Sequence, residues 1–407
     1  MVLLGIIGIR SAALPLAGLA WCSVLAAAAI GDERLFNVED FGARGDGATD
    51  DTEAFVQAWS AACGARGTST SVLVPAAKIF LVGPARFNGP CASTRITVQV
   101  YVMGTIMAQP ASAWAGESYW LMFHGVDGLT VTGTGGVLDG RGQIWWSDRC
   151  EADHGCMLSA PTALVLMNCT NAELSSFSSK DSPQMHIAVI MSRRVNVTQL
   201  TITAPGDSPN TDGVHTDRSE DVHITGSTIG TGDDCVSIGK GSRFVTVDGI
   251  VCGPGHGVSV GSLGKDGADE SVEHIDVRNV HFINTMNGVR IKTWKGGNGY
   301  AKSISFTNIN FTNVDHPVVI NQFYEDRDVP DTGSVALSDI TYTNLHGTSS
   351  QKTAVEFDCS SSGSCTEIHV NSVAITGSDG RGTVARCRNA QVDTSGYVYP
   401  RIPCLGS

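Results

Sequence analysis

Basic charge, aromatic rings and long helical runs are all scarce in this chain, and each shortage excludes something. The 407 residues carry 27 Lys and Arg against 40 Asp and Glu, a formal charge of −13. Nucleic-acid binders usually show a basic patch or stripe, so no nucleic-acid partner is expected. Aromatic residues make up 7%, while glycines number 47 among many short β-branched runs, a text of turns and strands with little helix. No Cys/His spacing resembles a zinc site, and no metal or other cofactor is expected. Low-complexity linkers are also absent. A chain this long would ordinarily suggest two or three domains, but a solenoid lengthens by adding coils, so residues 30–407 are expected to form one domain.

What is present is a recurrence. Asp212-Gly213-Val214-His215, Asp234-Cys235-Val236-Ser237 and His256-Gly257-Val258-Ser259 repeat at intervals of 22 residues. Asn287-Gly288-Val289-Arg290 and His316-Pro317-Val318-Val319 follow after 31 and 29. A period of this size, each unit closing on a strand-like apolar pair, marks stacked coils of a parallel β-helix, an all-β fold. Side chains alternate faces along a strand. Val214/Thr216, Val236/Ile238, Val258/Val260, Val289/Ile291 and Val318/Ile320 are therefore expected to stack inside. Facing out, His215, Ser237, Ser259, Arg290 and Val319 form one column and Asp217, Gly239, Gly261, Lys292 and Asn321 the next. Small residues then floor a groove with two cations at one end.

At the bend opening each strand, Asp212, Asp234 and His256 form a third column, and Asp233 lies one residue ahead of it. Neighbouring strands run about 4.8 Å apart, so residues remote in sequence become a cluster. Carboxylates, a histidine and two cations beside an open groove suit acid/base cleavage of a long acidic polymer. Any one of these residues alone reads as structural: Asp-Asp as a turn, His256 as a satisfied core histidine, Arg290 and Lys292 as a solvated face. Their shared position argues for function.

Four stretches carry a resemblance to a known family. Asn210-Thr211-Asp212, Gly232-Asp233-Asp234, Gly255-His256-Gly257 and Arg290-Ile291-Lys292 resemble the signature motifs of the polygalacturonases, pectin-degrading glycoside hydrolases of family 28. Cys252-Gly253-Pro254-Gly255-His256 and Gly288-Val289-Arg290-Ile291-Lys292-Thr293-Trp294 are similar to the plant members. The resemblance implies a right-handed β-helix that hydrolyses α-1,4 bonds of polygalacturonate with inversion. It implies catalysis by Asp212, Asp233 and Asp234, with His256 tuning the acid, and substrate binding by Asn210, Arg290, Lys292 and Tyr324. Asp233 would be the acid, its proton kept by crowding among the carboxylates, and Asp212 with Asp234 would hold the water. Two other readings are a pectate-lyase-like enzyme, whose carboxylates would bind calcium, and a catalytically inactive carbohydrate-binding β-helix. His215 faces the groove without an assigned role.

Elsewhere the chain reads as support. Ser11–Ile30 lacks charge, follows Arg10 and ends in a run of alanines, a secretory signal over residues 1–29 with an uncleaved anchor as the alternative. A secreted, extracellular or cell-wall monomer without stable membrane association is expected. Twelve cysteines agree with an oxidising destination. Proximity suggests Cys63–Cys91, Cys235–Cys252, Cys359–Cys365 and Cys387–Cys404, and leaves Cys169 as the free thiol beside Cys150 and Cys156. Asp50 with Glu53 fits a capping box for a short N-terminal helix whose face Phe55, Ala58, Trp59 and Ala62 would close the solenoid. Coils are expected to about Thr376, with the cystine-bearing tail covering the far end. Trp145 and Trp146 could stack on sugar, although packing is the commoner use of such rings. Asp326–Gly333 could wall the groove. Asn168, Asn196 and Asn310 head glycosylation sequons, Asn196 the best placed and Asn168, beside a buried run, the worst.

Overall fold

Short apolar pairs set apart by turn residues leave the backbone few ways to satisfy its hydrogen bonds except by pairing each coil with the next. The structure, a computed structural model, describes residues 34–404 apart from 68, 94, 101–103, 115, 147–159, 325–332 and 364. Its strands form two long sheets of parallel pairs, one of 22 strands and one of 11, and the chain is a right-handed parallel β-helix. A typical coil spends one short strand on the smaller sheet and two on the larger. Val214–Asp217, then Glu220–Thr225 and Thr228–Gly230, make one such coil. The described residues fall in one compact unit. The segment expected to be the leader lies outside the described residues, and among those described no helix is long and apolar enough to cross a membrane.

The register of the smaller sheet follows the columns read from the sequence. Val214 pairs with Val236, Val236 with Val258, Val258 with Val289 and Val289 with Val318. All five valines are buried, as are Ile238, Val260, Ile291 and Ile320 stacked beside them. Each such side chain contributes roughly 1.5–3 kcal/mol by leaving water. A slip of one residue would turn every one of them outward, so this core fixes what the outer face presents.

Helix α1, Thr52–Gly64, closes the N-terminal end with Phe55, Ala58, Trp59 and Ala62 buried. Its rings meet the first coils through Phe55 on Phe80 and Trp59 on Phe87 and Phe123. The expected capping box does not form. Asp51 occupies the N-cap but turns its carboxylate to the amides of Arg44 and Gly45 at 2.7 and 3.2 Å. Asp50 instead accepts from the Thr52 amide at 3.0 Å, and Glu53 bonds Gln57 at 2.9 Å. The far end also differs from expectation. Val384–Arg388 and Ala390–Tyr399 add strands to both sheets, so the cystine-bearing tail is a further coil. Its weak apolar alternation reflects a terminal coil with a neighbour on only one side.

The disulfides Cys63–Cys91, Cys235–Cys252, Cys359–Cys365 and Cys387–Cys404 are present, and Cys169 is free and buried. Cys150, Cys156 and most of Asp326–Gly333 lie outside the described residues. Trp145 is buried in a T-shaped contact with Trp114, and Trp146 packs beside Gly142 while donating to the Pro183 carbonyl at 3.0 Å, so both indoles serve packing.

Candidate active site

Two loops and two strands bring the site together. The loop ahead of Val214 carries Asp212, and the turn ahead of Val236 carries Asp233 and Asp234. These segments are stitched to one another: the Gly232 amide donates to Thr211 Oγ1 at 3.0 Å and the Gly213 amide to the Asp234 carbonyl at 2.9 Å. The approach requires glycine at position 232, where a Cβ would lie 2.0 Å from the Ser208 carbonyl oxygen. On the next coil Gly257, at φ +88°, passes so close to Gly288 that a Cβ would sit 2.2 Å from its carbonyl oxygen. That turn delivers His256. The buried Cys235–Cys252 bridge ties the aspartate turn to the strand leading to His256.

Asp234 is 1% exposed, and both of its oxygens accept hydrogen bonds. Ser259 Oγ and an Arg290 guanidinium nitrogen donate to Oδ1 at 2.7 and 2.8 Å, and Lys292 Nζ donates to Oδ2 at 2.8 Å. Burial opposes its charge, yet Lys292 and Arg290 hold the carboxyl below the usual carboxylate range. A buried anion with two charge-assisted partners stays ionised. The two cations expected to hold a substrate carboxylate are thus first the counter-ions of Asp234. Each has further N–H donors for a second anion.

Asp212 is 7% exposed, and among the described residues no such counter-ion is in contact with it. Burial, reinforced by the charges of Asp233 and Asp234, pushes its carboxyl up to about 7 against the opposing Ser237 hydrogen bond. Ser237 Oγ donates to Asp212 Oδ2 at 2.5 Å, and His215 Nδ1 lies 2.8 Å from the same hydroxyl. Asp233 points elsewhere and remains partly exposed. Its Oδ1 accepts the Asp234 amide at 2.8 Å and faces His256 Nδ1 at 3.1 Å, which leaves Oδ2 free of these bonds.

Tyr324 stands beside the cations, with Lys292 Nζ 5.2 Å from its ring centroid and Trp294 edge-on at 5.5 Å. Asn210, two residues before Asp212, is exposed with φ +54°. The structure therefore brings Asp212, Asp233, Asp234, His256, Arg290, Lys292 and Tyr324 together, and shows no side-chain contact of Asn210 with them among the described residues. One donor atom each from Asp233, Asp234 and His256 fall within 4.8 Å of one another, the spacing of a possible metal site. A cation there would face Lys292 and Arg290 across a carboxylate already paired with both, and one of its three ligands would be nitrogen, a poor match to an all-oxygen shell.

Ser237 and Ser259, small residues expected to floor the groove, and His215, expected to face it without a role, are contacts of the aspartates' hydrogen-bond network. A signal was available: each serine follows the aspartate it serves by 25 residues.

Comparison with known proteins is consistent with this geometry. The model of glycosyl hydrolases family 28 matches residues 63–396. A probable polygalacturonase of Arabidopsis thaliana is 42% identical over 382 residues, covering 92% of this chain and 84% of that protein. A polygalacturonase of Malus domestica is 41% identical over 375 residues, covering 90% and 79%. Among solved structures, the endo-xylogalacturonan hydrolase of Aspergillus tubingensis superposes with TM-score 0.77 at 27% identity, covering 89% of this chain and all of that one. The exopolygalacturonase of Thermotoga maritima has TM-score 0.74 at 21% identity over 89% and 90%, a likeness of fold.

Proposed function

The chain belongs to the family 28 glycosyl hydrolases, and on that premise we propose that it hydrolyses α-1,4-galacturonosidic bonds of polygalacturonate, the acidic backbone of pectin, with inversion. In this reading Asp233 protonates the glycosidic oxygen through its free Oδ2, while His256 and the Asp234 amide hold Oδ1. Asp212 and Asp234 grip the attacking water between them. Asp234, kept ionised by its two cations, orients the water, and Asp212, with the higher proton affinity, takes its proton. The remaining N–H groups of Arg290 and Lys292 receive a uronate carboxylate, with Tyr324 beside them. Secretion to the cell wall and action as a monomer complete the proposal.

The observation that carries it is the unequal treatment of two neighbouring buried aspartates, one paired with two cations and the other left basic. Divergent environments of this kind assign acid/base roles. The test is release of reducing ends from a panel of defined pectic substrates, with and without chelator. Chelator-resistant release that is fastest on demethylated polygalacturonate supports the proposal. Loss of activity on chelation, with an unsaturated ultraviolet-absorbing product, would mean a lyase instead.

A further inference from the structure

Asp212 and Asp234 share one device, although only Asp234 has cations in contact. Each accepts a hydrogen bond from a serine on the following coil, Ser237 or Ser259. Each serine oxygen in turn meets a nitrogen from its own outward column. For Ser259 that nitrogen is Arg290 Nε at 3.0 Å, one coil further on; for Ser237 it is His215 Nδ1 at 2.8 Å, one coil back. Arginine can only donate, whereas a neutral imidazole nitrogen donates or accepts according to its tautomer. A serine hydroxyl has a single proton. If Ser237 gives that proton to Asp212, its oxygen is open only to a donor, and His215 must carry its hydrogen on Nδ1. The other tautomer would compete with Asp212 for the same proton.

We infer that His215 is a positioning residue for the catalytic base, holding Ser237 turned toward Asp212 by donating Nδ1–H to its oxygen. The inference rests on Asp212 being the group that takes the proton of water. Bonds in such a chain polarise one another, so the donor at His215 strengthens the Ser237 bond to the ionised carboxylate. The imidazole is well placed to stay in one pose. Gly239 lies against its edge, where a Cβ would come within 3.1 Å of Cε1, and Ala188 pairs with it from the preceding coil. The charged groups acting on it are Asp217 of its own strand, Asp234 and Lys292; burial dominates all three and keeps the ring neutral. Asp212 in turn feels Asp233, Asp234 and Lys292. His215 thereby supplies for Asp212, without adding charge, the support that Arg290 gives Asp234 through Ser259.

Two measurements test this. Nitrogen NMR of histidine-labelled protein at pH 8, with the His215 signals assigned by their loss in a variant, should show hydrogen on Nδ1; hydrogen on Nε2 would overturn the inference whatever the substrate proves to be. In kinetics, His215→Phe should lower kcat/KM about tenfold, the worth of one hydrogen bond, and move the acid limb of the pH profile upward because the ionised base has lost support. His215→Asn, which offers an N–H at the same position along the side chain, should restore most of the rate, whereas His215→Gln, one atom longer, should not. That pair carries the test if the phenylalanine variant fails to fold. Adding His215→Phe to Ser237→Ala should cost little more than Ser237→Ala alone. An unshifted pH profile, or equal losses in both backgrounds, would reduce His215 to packing. Failure of the wild type to cleave polygalacturonate would overturn the proposed substrate but leave the tautomer result to decide the relay.

Discussion

Replacing Asp212 by Asn should make the protein more stable, and only above mildly acidic pH. The carboxyl is buried beside two other aspartates and is pushed up from an ordinary 3.8 to about 7. Between those values the folded chain holds a proton that the unfolded chain has released. Since the slope of unfolding free energy with pH follows protons bound unfolded minus protons bound folded, the wild type loses stability as pH rises across this window. The full penalty is reached above about pH 7 and amounts to about 4 kcal/mol, at 1.36 kcal/mol for each factor of ten in proton affinity. Asn keeps an oxygen for Ser237 and carries no charge, so the variant escapes the penalty. Thermal melts at pH 4 and pH 8 measure it. The variant should match the wild type at pH 4 and melt several degrees higher at pH 8. An equal difference at both values, or a variant less stable at pH 8, would refute the electrostatic argument.

Other expectations follow from the same contacts. Lys292→Ala and Arg290→Ala should each lower kcat/KM on polygalacturonate by roughly 10–100-fold, the equivalent of about 1.5–3 kcal/mol, and less on neutral-sugar analogues; equal losses on both would confine the two cations to holding Asp234. Replacing both Cys235 and Cys252 by alanine should cost about 3 kcal/mol on the loop-entropy estimate for their separation of 17 residues, read by denaturant unfolding, with an unchanged midpoint as the contrary result. Asn196, exposed and without a side-chain partner among the described contacts, should carry glycan when the protein is secreted, so that Asn196→Gln lowers the mass by one glycan; an unchanged mass would contradict this.

Much of the site was legible because a solenoid converts spacing into contact. Equal 22-residue intervals placed Val214, Val236 and Val258 in register, and that register placed the outward columns. The pairing of Lys292 with Asp234 was not legible. It joins residues 58 apart across an intervening coil, and a flexible cation's reach is set by side-chain geometry that spacing does not encode. The helix start was misread because Asp51 spends its carboxylate on a neighbouring turn, a tertiary demand that overrode the local capping signal. The side chain of Asn168, ranked last as a sequon for its buried surroundings, is exposed, with its amide 3.4 Å from His124 Nε2, because the chain turns outward at φ +53° just past the buried strand. His215 was visible in its column, but its role required knowing that Ser237 has only one proton to give.

The central claim is that water, held by Asp212 and Asp234, attacks directly while Asp233 protonates the leaving oxygen. An inverting pair needs roughly 6.5–9.5 Å between acid and base to admit that water, whereas a retaining pair needs only about 5–5.5 Å. Proton NMR of the first product formed from polygalacturonate, recorded before mutarotation, decides between them. The account predicts that the β-anomer appears first from the α-linked substrate; an α-anomer appearing first, or a glycosyl group trapped on any of the three aspartates, would contradict it.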